Sequence, residues 1–310
     1  MKVTYTMRNS INGMPYNTGE QQAQLQEQSG VPFFTFPELE KIPGIRHGFS
    51  TRLGGVSEGY LASMNLSYSR GDDPDCVDEN YKRMCQALGM RTEDLVLSDQ
   101  VHDTVVYKAG RKDCQGENLR DKRLQGIDGL MTDEADVALC TSYADCVPLF
   151  FAEKQGKVIA SSHSGWRGTV GKIGAKTVKA LEQEYGVSPE QLTVVIGPSI
   201  CLDCYEVSQD VRDAFTDFVS LEELERTQSA DRARLQSMMD AVFLEKDNGK
   251  FQLDLWMANK LILMEAGVPE ENISVSCVCT CCNSDLLYSH RASNGKRGNL
   301  NGFIQIMKKM

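Results

Sequence analysis

The stretch Lys157-Val158-Ile159-Ala160-Ser161-Ser162-His163-Ser164-Gly165-Trp166-Arg167-Gly168 joins an apolar run of strand length to a glycine-flanked turn carrying His, Trp and Arg. Ile173, Thr177, Val178 and Leu181 then recur at helical spacing up to Tyr185, and Gly186 supplies a stop. His163 and Arg167 therefore sit in a strand-to-helix loop held at both ends by packed elements, the kind of place where binding groups concentrate. Two residues of matching chemistry stand at other junctions. His102 lies near the start of the alternating run 101–107, which reads as strand material, and Cys146 lies just before Val147-Pro148-Leu149-Phe150-Phe151. Pro148 removes a ladder donor, so the strand starts there and leaves Cys146 at its exposed head. Two imidazoles and one thiolate form a borderline-soft donor set that suits zinc, and three protein ligands leave a fourth position open for water.

His102, Cys146 and His163 are too far apart in sequence to form a local motif, so two other readings stay open. Cys201-x-x-Cys204 with Cys279-x-x-Cys282 has the form of a structural zinc site, although the stretch between the pairs far exceeds the usual ribbon spacing and favours free thiols. Cys146 with His163 also matches the thiolate–imidazole pair of a hydrolase or amidase, which leaves His102 without a role. The eleven cysteines fit reduced thiols and metal ligands in a cytosolic setting better than a disulfide framework. Histidine is scarce: the four are His47, His102, His163 and His290, each in a strand-end context, which argues that they are employed.

A net charge of -10 over 310 residues excludes the basic stripe that nucleic acid demands, so any anionic substrate must be met by a few local arginines. No apolar run approaches membrane-spanning length, and the first residues lack the apolar core of a signal peptide. The expectation is a cytoplasmic protein with neither nucleic acid nor membrane as partner.

The elements that must hold these groups follow from periodicity. Residues 1–30 are polar and Gln-rich, a mobile extension or edge hairpin. Strands are expected at 31–36, 45–51, 94–97, 129–132, 137–141, 147–151, 193–196 and 273–278. Asp73-Pro74 opens a packing helix with Val77, Tyr81, Met84, Cys85 and Leu88 on one face and Gly89 at its end. The segment 110–126 is charged and reads as a surface loop. Ser188-Pro189-Glu190-Gln191 matches a capping box for a short helix. A charged helical pattern runs from Val207 to about Asn248, and an amphipathic helix from Asp254 to Gly267. Strands scattered throughout with helices interposed give an α/β (mixed α+β) fold in a single domain.

Several motifs occur in a fixed order. They are His47-Gly-Phe-Ser-Thr-Arg52-Leu-Gly-Gly-Val-Ser, Met64-Asn65-Leu66, Gln100-Val-His102, Asp128-Gly129-Leu130, Ala144-Asp145-Cys146-Val-Pro148, His163-Ser-Gly-Trp-Arg167-Gly168, and Gly197-Pro198-Ser-Ile200 through Cys204-Tyr205-Glu206-Val207. This set resembles the laccase-domain, or YfiH-like, family from about residue 32 to the C-terminus. The resemblance implies a domain over 31–310 with mixed β-sheets flanked by helices, leaving 1–30 outside the match. It also implies that His102, Cys146 and His163 bind a catalytic zinc. The implied activity is phosphorolysis of adenosine, inosine, guanosine and methylthioadenosine, with deamination of adenosine. The family's older label, polyphenol oxidase, implies copper instead, and some bacterial members are peptidoglycan editing factors, an amide-hydrolase alternative. This chain departs from the pattern at Asp103, Asp203 and Arg291-Ala292, none of them in the ligand set.

Phosphorolysis needs phosphate held beside the anomeric carbon, and arginines hold it by bidentate hydrogen bonds. Arg52, Arg167, Arg291 and Arg297 are the candidates. Asn65 and Gln100 can hydrogen-bond ribose or base, and Asp145 can shuttle a proton or orient the site. The expected partners are purine nucleosides and phosphate, for a monomer or small homo-oligomer.

Overall fold

The run at 147–151 lacks polar alternation because its strand is covered on both faces, and a covered strand has no need of polar side chains. In the observed strand Val147–Glu153 all seven residues are buried. Val147, Leu149 and Phe151 point into a core shared with helices, whereas Phe150 and Ala152 point into a second core between two sheets. This is a computed structural model, and it describes residues 4–11, 13–19, 22–121 and 124–308.

The sheet containing that strand has six strands in the order Ile273–Val275, Leu192–Ile196, Val147–Glu153, Ile159–Ser164, Gly129–Thr132, Val106–Lys108. Its inner pairings are antiparallel and its two outermost are parallel. The facing sheet has seven strands in the order Gln24–Gln28, Val31–Thr35, Ile45–Ser50, Leu300–Ile306, Ala138–Tyr143, Leu95–Asp99, Leu124–Gln125. Phe34, Phe49, Leu139 and Ile304 of this sheet meet Phe150, Ile159 and Val195 of the other. The sheets approach so closely that a Cβ on Gly302 would lie 2.5 Å from Phe150 Cζ. Helices Ile173–Tyr185 and Leu255–Glu265 cover the outer face of the six-stranded sheet, and helix Pro74–Leu88 covers that of the seven-stranded one. The architecture is thus the expected mixed α/β one. Among the described residues no helix is long and apolar enough to cross a membrane.

Local signals for the helix at 74–88 hold: Asp73 caps it, accepting from the Asp75 N–H at 2.9 Å, and Gly89 closes it at a φ of 65°. Other expectations need correction. Strand structure in 101–107 is confined to Val106–Lys108, because the N–H groups of 101, 102 and 103 turn onto a carboxylate rather than a neighbouring strand. The helical stretch expected over 207–248 breaks into Gln209–Ala214, Leu221–Gln228 and Arg232–Asp240, followed by strand Phe243–Glu245 of a small three-stranded sheet. The capping box at Ser188 starts only a single 3-10 turn, Pro189–Gln191. The strand expected over 273–278 is ordered as strand only to Val275, and Cys277 turns out of it with a φ of 60°. Part of the supposed surface loop 110–126 is buried, Asp113, Cys114 and Gln115 included, while residues 122 and 123 lie outside the described residues.

Helix Leu255–Glu265 is buried almost all round rather than amphipathic. Its two polar interior residues find partners: Lys260 Nζ donates to the Tyr16 carbonyl at 2.6 Å and to Glu270 at 2.8 Å, and Asn259 accepts from Ser164 Oγ at 2.8 Å. Within the first thirty residues, Gln24–Gln28 pairs antiparallel with Val31–Thr35 as an edge strand, and the buried Tyr16 hydroxyl donates to Asp254. Residues 1–3, 12, 20 and 21 lie outside the described residues.

Candidate metal centre and cavity

Antiparallel pairing in the six-stranded sheet sets Pro148 opposite His163 and Val147 opposite Ser164. Cys146 and His163 therefore emerge at the same end of adjacent strands. His102 reaches them from the loop before Val106, with a left-handed backbone at φ 65°. The ligand atoms of His102, Cys146 and His163 all lie within 4.8 Å of one another, with His102 Nε2 3.8 Å from Cys146 Sγ. This is a constellation that can hold a metal ion. Gly165 makes it possible: a Cβ there would stand 3.0 Å from His102 Cδ2 and 3.1 Å from Cys146 Sγ.

The carboxylate of Asp128, fully buried, organises this end of the sheet. It accepts the N–H groups of Val101, His102 and Asp103 at 3.0, 3.0 and 3.1 Å, and the Nδ1–H of His163 at 2.8 Å. With Nδ1 occupied, His163 presents Nε2 to the centre. Burial raises the Asp128 carboxyl, but the His163 bond and charge outweigh it and the pKa falls below the ordinary value. In the metal-free chain burial also raises the Cys146 thiol, yet the His163 charge and the His102 bond overcome it and bring it down to about 6. Burial lowers the His163 imidazole, but the Cys146 sulfur and then the Asp128 bond push it up to about 9. Both shifts favour a thiolate beside an imidazolium. Sequence reasoning gave Asp128 no role, although Asp128-Gly129-Leu130 is one of the ordered motifs; a carboxylate directly before a strand is by itself common and unspecific.

The three donors open onto a cavity of about 510 Å³, lined among others by Arg70, Trp166, Arg167, Tyr205, Arg291 and Arg297. Trp166 carries the Arg167 guanidinium 4.3 Å above its ring, at an exposed position. Arg291 donates to the carbonyls of Cys204 and Glu206 at 3.3 and 3.0 Å. Arg297 is 9% exposed and its Nε has no partner among the described residues. Burial, and then the charge of Arg70, push its pKa down to about 10. His290 also lines the cavity, its pKa lowered by burial and by Arg297.

The other expected residues divide. Gln100 borders the cavity, but its amide is committed to the Ser142 backbone, accepting its N–H at 2.7 Å and donating to its carbonyl at 3.0 Å. Arg52 and Asn65 are not among the cavity's lining residues. Arg52 donates to the carbonyls of Ala62 and Ser284, and the buried Asn65 bridges Ser67, Asp72 and the Asn299 N–H. Asp145 lines the cavity at a φ of 83°, both its oxygens accepting bonds: Oδ1 from Thr280 Oγ1 at 2.6 Å and Oδ2 from the Arg291 N–H at 2.7 Å. His47 lies elsewhere, buried and stacked on Phe36 at 5.6 Å, its Nε2 accepting the Phe36 N–H at 2.9 Å.

A mixed α/β fold with two imidazoles and a thiolate gathered at a sheet end, facing a cationic cavity, defines a small-molecule site of metalloenzyme type. The chain belongs to the multi-copper polyphenol oxidoreductase laccase family, whose model matches residues 46–307. It is 32% identical over 274 residues to a purine nucleoside phosphorylase of Bacteroides thetaiotaomicron, covering 88% of this chain and 96% of the relative. An adenosine deaminase from an unknown prokaryotic organism is 31% identical over 261 residues, covering 82% of this chain and 93% of that one. The crystal structure of YlmD from Geobacillus stearothermophilus superposes with a TM-score of 0.78 at 31% identity, covering 92% of this chain and 99% of that one.

Proposed function

We propose that this chain is a zinc-dependent purine nucleoside phosphorylase, acting on adenosine, inosine, guanosine and methylthioadenosine, that also deaminates adenosine. The observation that carries the reading is the opening of the His102–Cys146–His163 donors onto a cavity that also holds arginine side chains. Residues 31–310 are the catalytic domain in this reading, with 1–30 packed against it as an extension. The relatives named for the two activities support both reactions in one pocket.

The donor set fits zinc, and it fits the copper that the family description implies less well. A copper centre of two His and one Cys commonly adds a long axial Met, and among the described residues no methionine lines the cavity. Zinc held by His102, Cys146 and His163 would supply Lewis acidity and lower the pKa of water to about 7, the property deamination needs. Asp128 fixes the tautomer of His163 and the loop carrying His102. Asp145, both oxygens occupied, is a positioning residue that holds the backbone of Arg291 beside the cavity. In phosphorolysis a phosphate oxygen bonds to the anomeric carbon as the bond to the purine nitrogen breaks, so a dianion must be seated near the sugar. The buried Arg297 and the half-buried Arg70 offer a mutually repelling cation pair for it, with Arg167 at the exposed rim. Trp166 and Tyr205 offer flat apolar surface to the base.

A second reading is an amide hydrolase on a cell-wall precursor, and the thiolate–imidazolium pair of Cys146 and His163 favours it. It leaves His102 idle 3.8 Å from the sulfur. Purified protein assayed on adenosine and inosine with and without phosphate decides the matter. Base release only with phosphate, together with conversion of adenosine to inosine without it, is the expected result; neither reaction in zinc-loaded protein would overturn the reading.

A further inference from the structure

The reading above employs one cysteine of eleven. Four others, Cys201, Cys204, Cys279 and Cys282, have their sulfur atoms within 4.8 Å of one another. Cys204 Sγ is 3.5 Å from Cys282 Sγ, and Cys201 Sγ is 3.9 Å from it. All four are free thiols. A tetrahedral ion with metal–sulfur bonds of about 2.3 Å holds its sulfurs about 3.8 Å apart, and the two shortest of these separations lie close to that value. A disulfide needs about 2.05 Å and would use only two of the four.

The backbone builds this cluster from both sides. A 3-10 turn at Leu202–Cys204 brings Cys204 back beside Cys201, and a parallel bridge between Ser199 and Cys279 sets the second Cys-x-x-Cys against the first. The N–H groups of Cys201 and Cys282 both point at Cys279 Sγ, each 3.3 Å away. Amide donors aimed at one sulfur from two chain segments would offset the charge that sulfur carries once a metal holds it as a thiolate. Arg8 faces the cluster, its Nη2 4.0 Å from Cys282 Sγ while it pairs with Asp203. Four thiolates around a divalent cation carry two negative charges, and Arg8, shared with Asp203, faces them.

We propose that Cys201, Cys204, Cys279 and Cys282 bind a second zinc ion with every coordination position filled by protein, a structural site apart from the catalytic one. Binding converts four thiols to thiolates and releases four protons. The ion ties the segment carrying Ile200 and Tyr205 to the one carrying His290 and Arg291, all of which line the cavity. The two segments already touch there, since Arg291 donates to the carbonyls of Cys204 and Glu206 at 3.3 and 3.0 Å. The second zinc thus holds the cavity wall without meeting the substrate. This goes beyond the proposed function and stands whether or not that reading does.

Tag-free full-length protein, produced with zinc and purified under reducing conditions, is measured for metal and protein together. The expected result is one zinc per chain that Cys146→Ala keeps and the Cys204→Ser/Cys282→Ser double variant loses, with a further zinc in the unmodified protein where the His102–Cys146–His163 centre is filled as well. Cobalt gives a second readout that does not depend on the double variant folding. Cobalt-loaded Cys146→Ala should show the intense thiolate charge-transfer and tetrahedral bands of four sulfur ligands. One zinc per chain in the unmodified protein with none in Cys146→Ala would overturn the proposal. So would iron in place of zinc, or a disulfide within the quartet found by mass after alkylation.

Discussion

Asp128 Oδ1 accepts from His163 Nδ1 at 2.8 Å, and the same carboxylate gathers three successive N–H groups of the loop that carries His102. Two of the three candidate ligands are therefore set by one buried charge. Asp128→Asn keeps the shape but turns one oxygen into an NH₂ that faces donors. Zinc affinity should fall about 10- to 100-fold, the usual cost of losing such an orienting partner. Competition with a chromophoric chelator measures it, and an unchanged dissociation constant would show that the loop and the imidazole hold themselves.

Cys146→Ala separates the two readings of the site. Zinc would lose its only anionic ligand, so both the metal and both nucleoside activities should disappear together. Inactive protein that keeps its full zinc at His102 and His163 would point instead to a cysteine nucleophile. Since the sulfur quartet can hold zinc of its own, the count is taken against the Cys204→Ser/Cys282→Ser background.

Gly165→Ala tests the crowding of the centre. Its Cβ would stand 3.0 and 3.1 Å from two ligand side chains, tighter than ordinary contact, so His102 or Cys146 must shift by a few tenths of an ångström. Donor sets misplaced by that much bind metal less well, whereas the backbone at Gly165, with φ -69°, suits alanine. Zinc affinity and turnover should drop while the thermal midpoint measured with excess zinc stays nearly unchanged. A loss of folding with normal metal affinity would contradict this.

How much of the site was legible in the chain depended on the range of the interactions. Cys146 and His163 were readable because each sits where an apolar strand gives way to small or turn residues, a local signal. That His102 joins them was implied only by the family resemblance and not by the local pattern, since 44 residues separate it from Cys146 and its loop is shaped by Asp128, a carboxylate distant in sequence. The two Cys-x-x-Cys pairs were visible, but their meeting depends on the bridge at Ser199 and Cys279. Strand Leu300–Ile306 lies in the middle of the seven-stranded sheet and yet escaped notice, because Asn301 and Gly302 interrupt its apolar pattern. Asn301 is buried by bonding Tyr81, and Gly302 is needed for the approach of Phe150. Helix Leu255–Glu265 looked amphipathic for the same reason: Lys260 and Asn259 are polar, but their partners come from distant residues.

His47 was grouped with the functional histidines, and its burial gives it a different consequence. Burial lowers its pKa to about 4. The folded chain thus keeps it neutral where the unfolded chain, near 6.5, takes up a proton. Above pH 6.5 both forms are neutral and the group contributes nothing; as pH falls from 6.5 towards 4, the unfolded state gains protons and stability is lost. Between pH 7.5 and 5 the loss from this residue should be about 2 kcal/mol. Urea unfolding of the unmodified protein and of His47→Gln at both pH values, in excess chelator, isolates the difference. Equal losses in the two proteins would remove His47 as the cause.

The last expectation divides the two reactions by the charge of their co-substrates. Only phosphorolysis brings a dianion into the cavity, so only phosphorolysis should need the phosphate-binding arginines. Arg167 is exposed and spends its guanidinium face on Trp166, whereas Arg297 is buried beside Arg70 with its Nε unpaired among the described residues. An anion between Arg297 and Arg70 relieves their repulsion and supplies the missing acceptor, which makes this pair the stronger seat. Loss of one such charge-assisted contact costs about 2 kcal/mol, roughly thirtyfold in rate. Arg70→Ala, at the less buried of the two positions, should lower phosphate-dependent cleavage of inosine by that factor and leave adenosine-to-inosine conversion within about threefold, with zinc content unchanged. Arg167→Ala should produce the smaller selective effect. If Arg167→Ala is the more damaging to phosphorolysis, phosphate binds at the rim. If Arg70→Ala lowers both reactions equally, Arg70 supports the wall through Asn299, to which its Nε donates at 3.2 Å, and does not bind the anion.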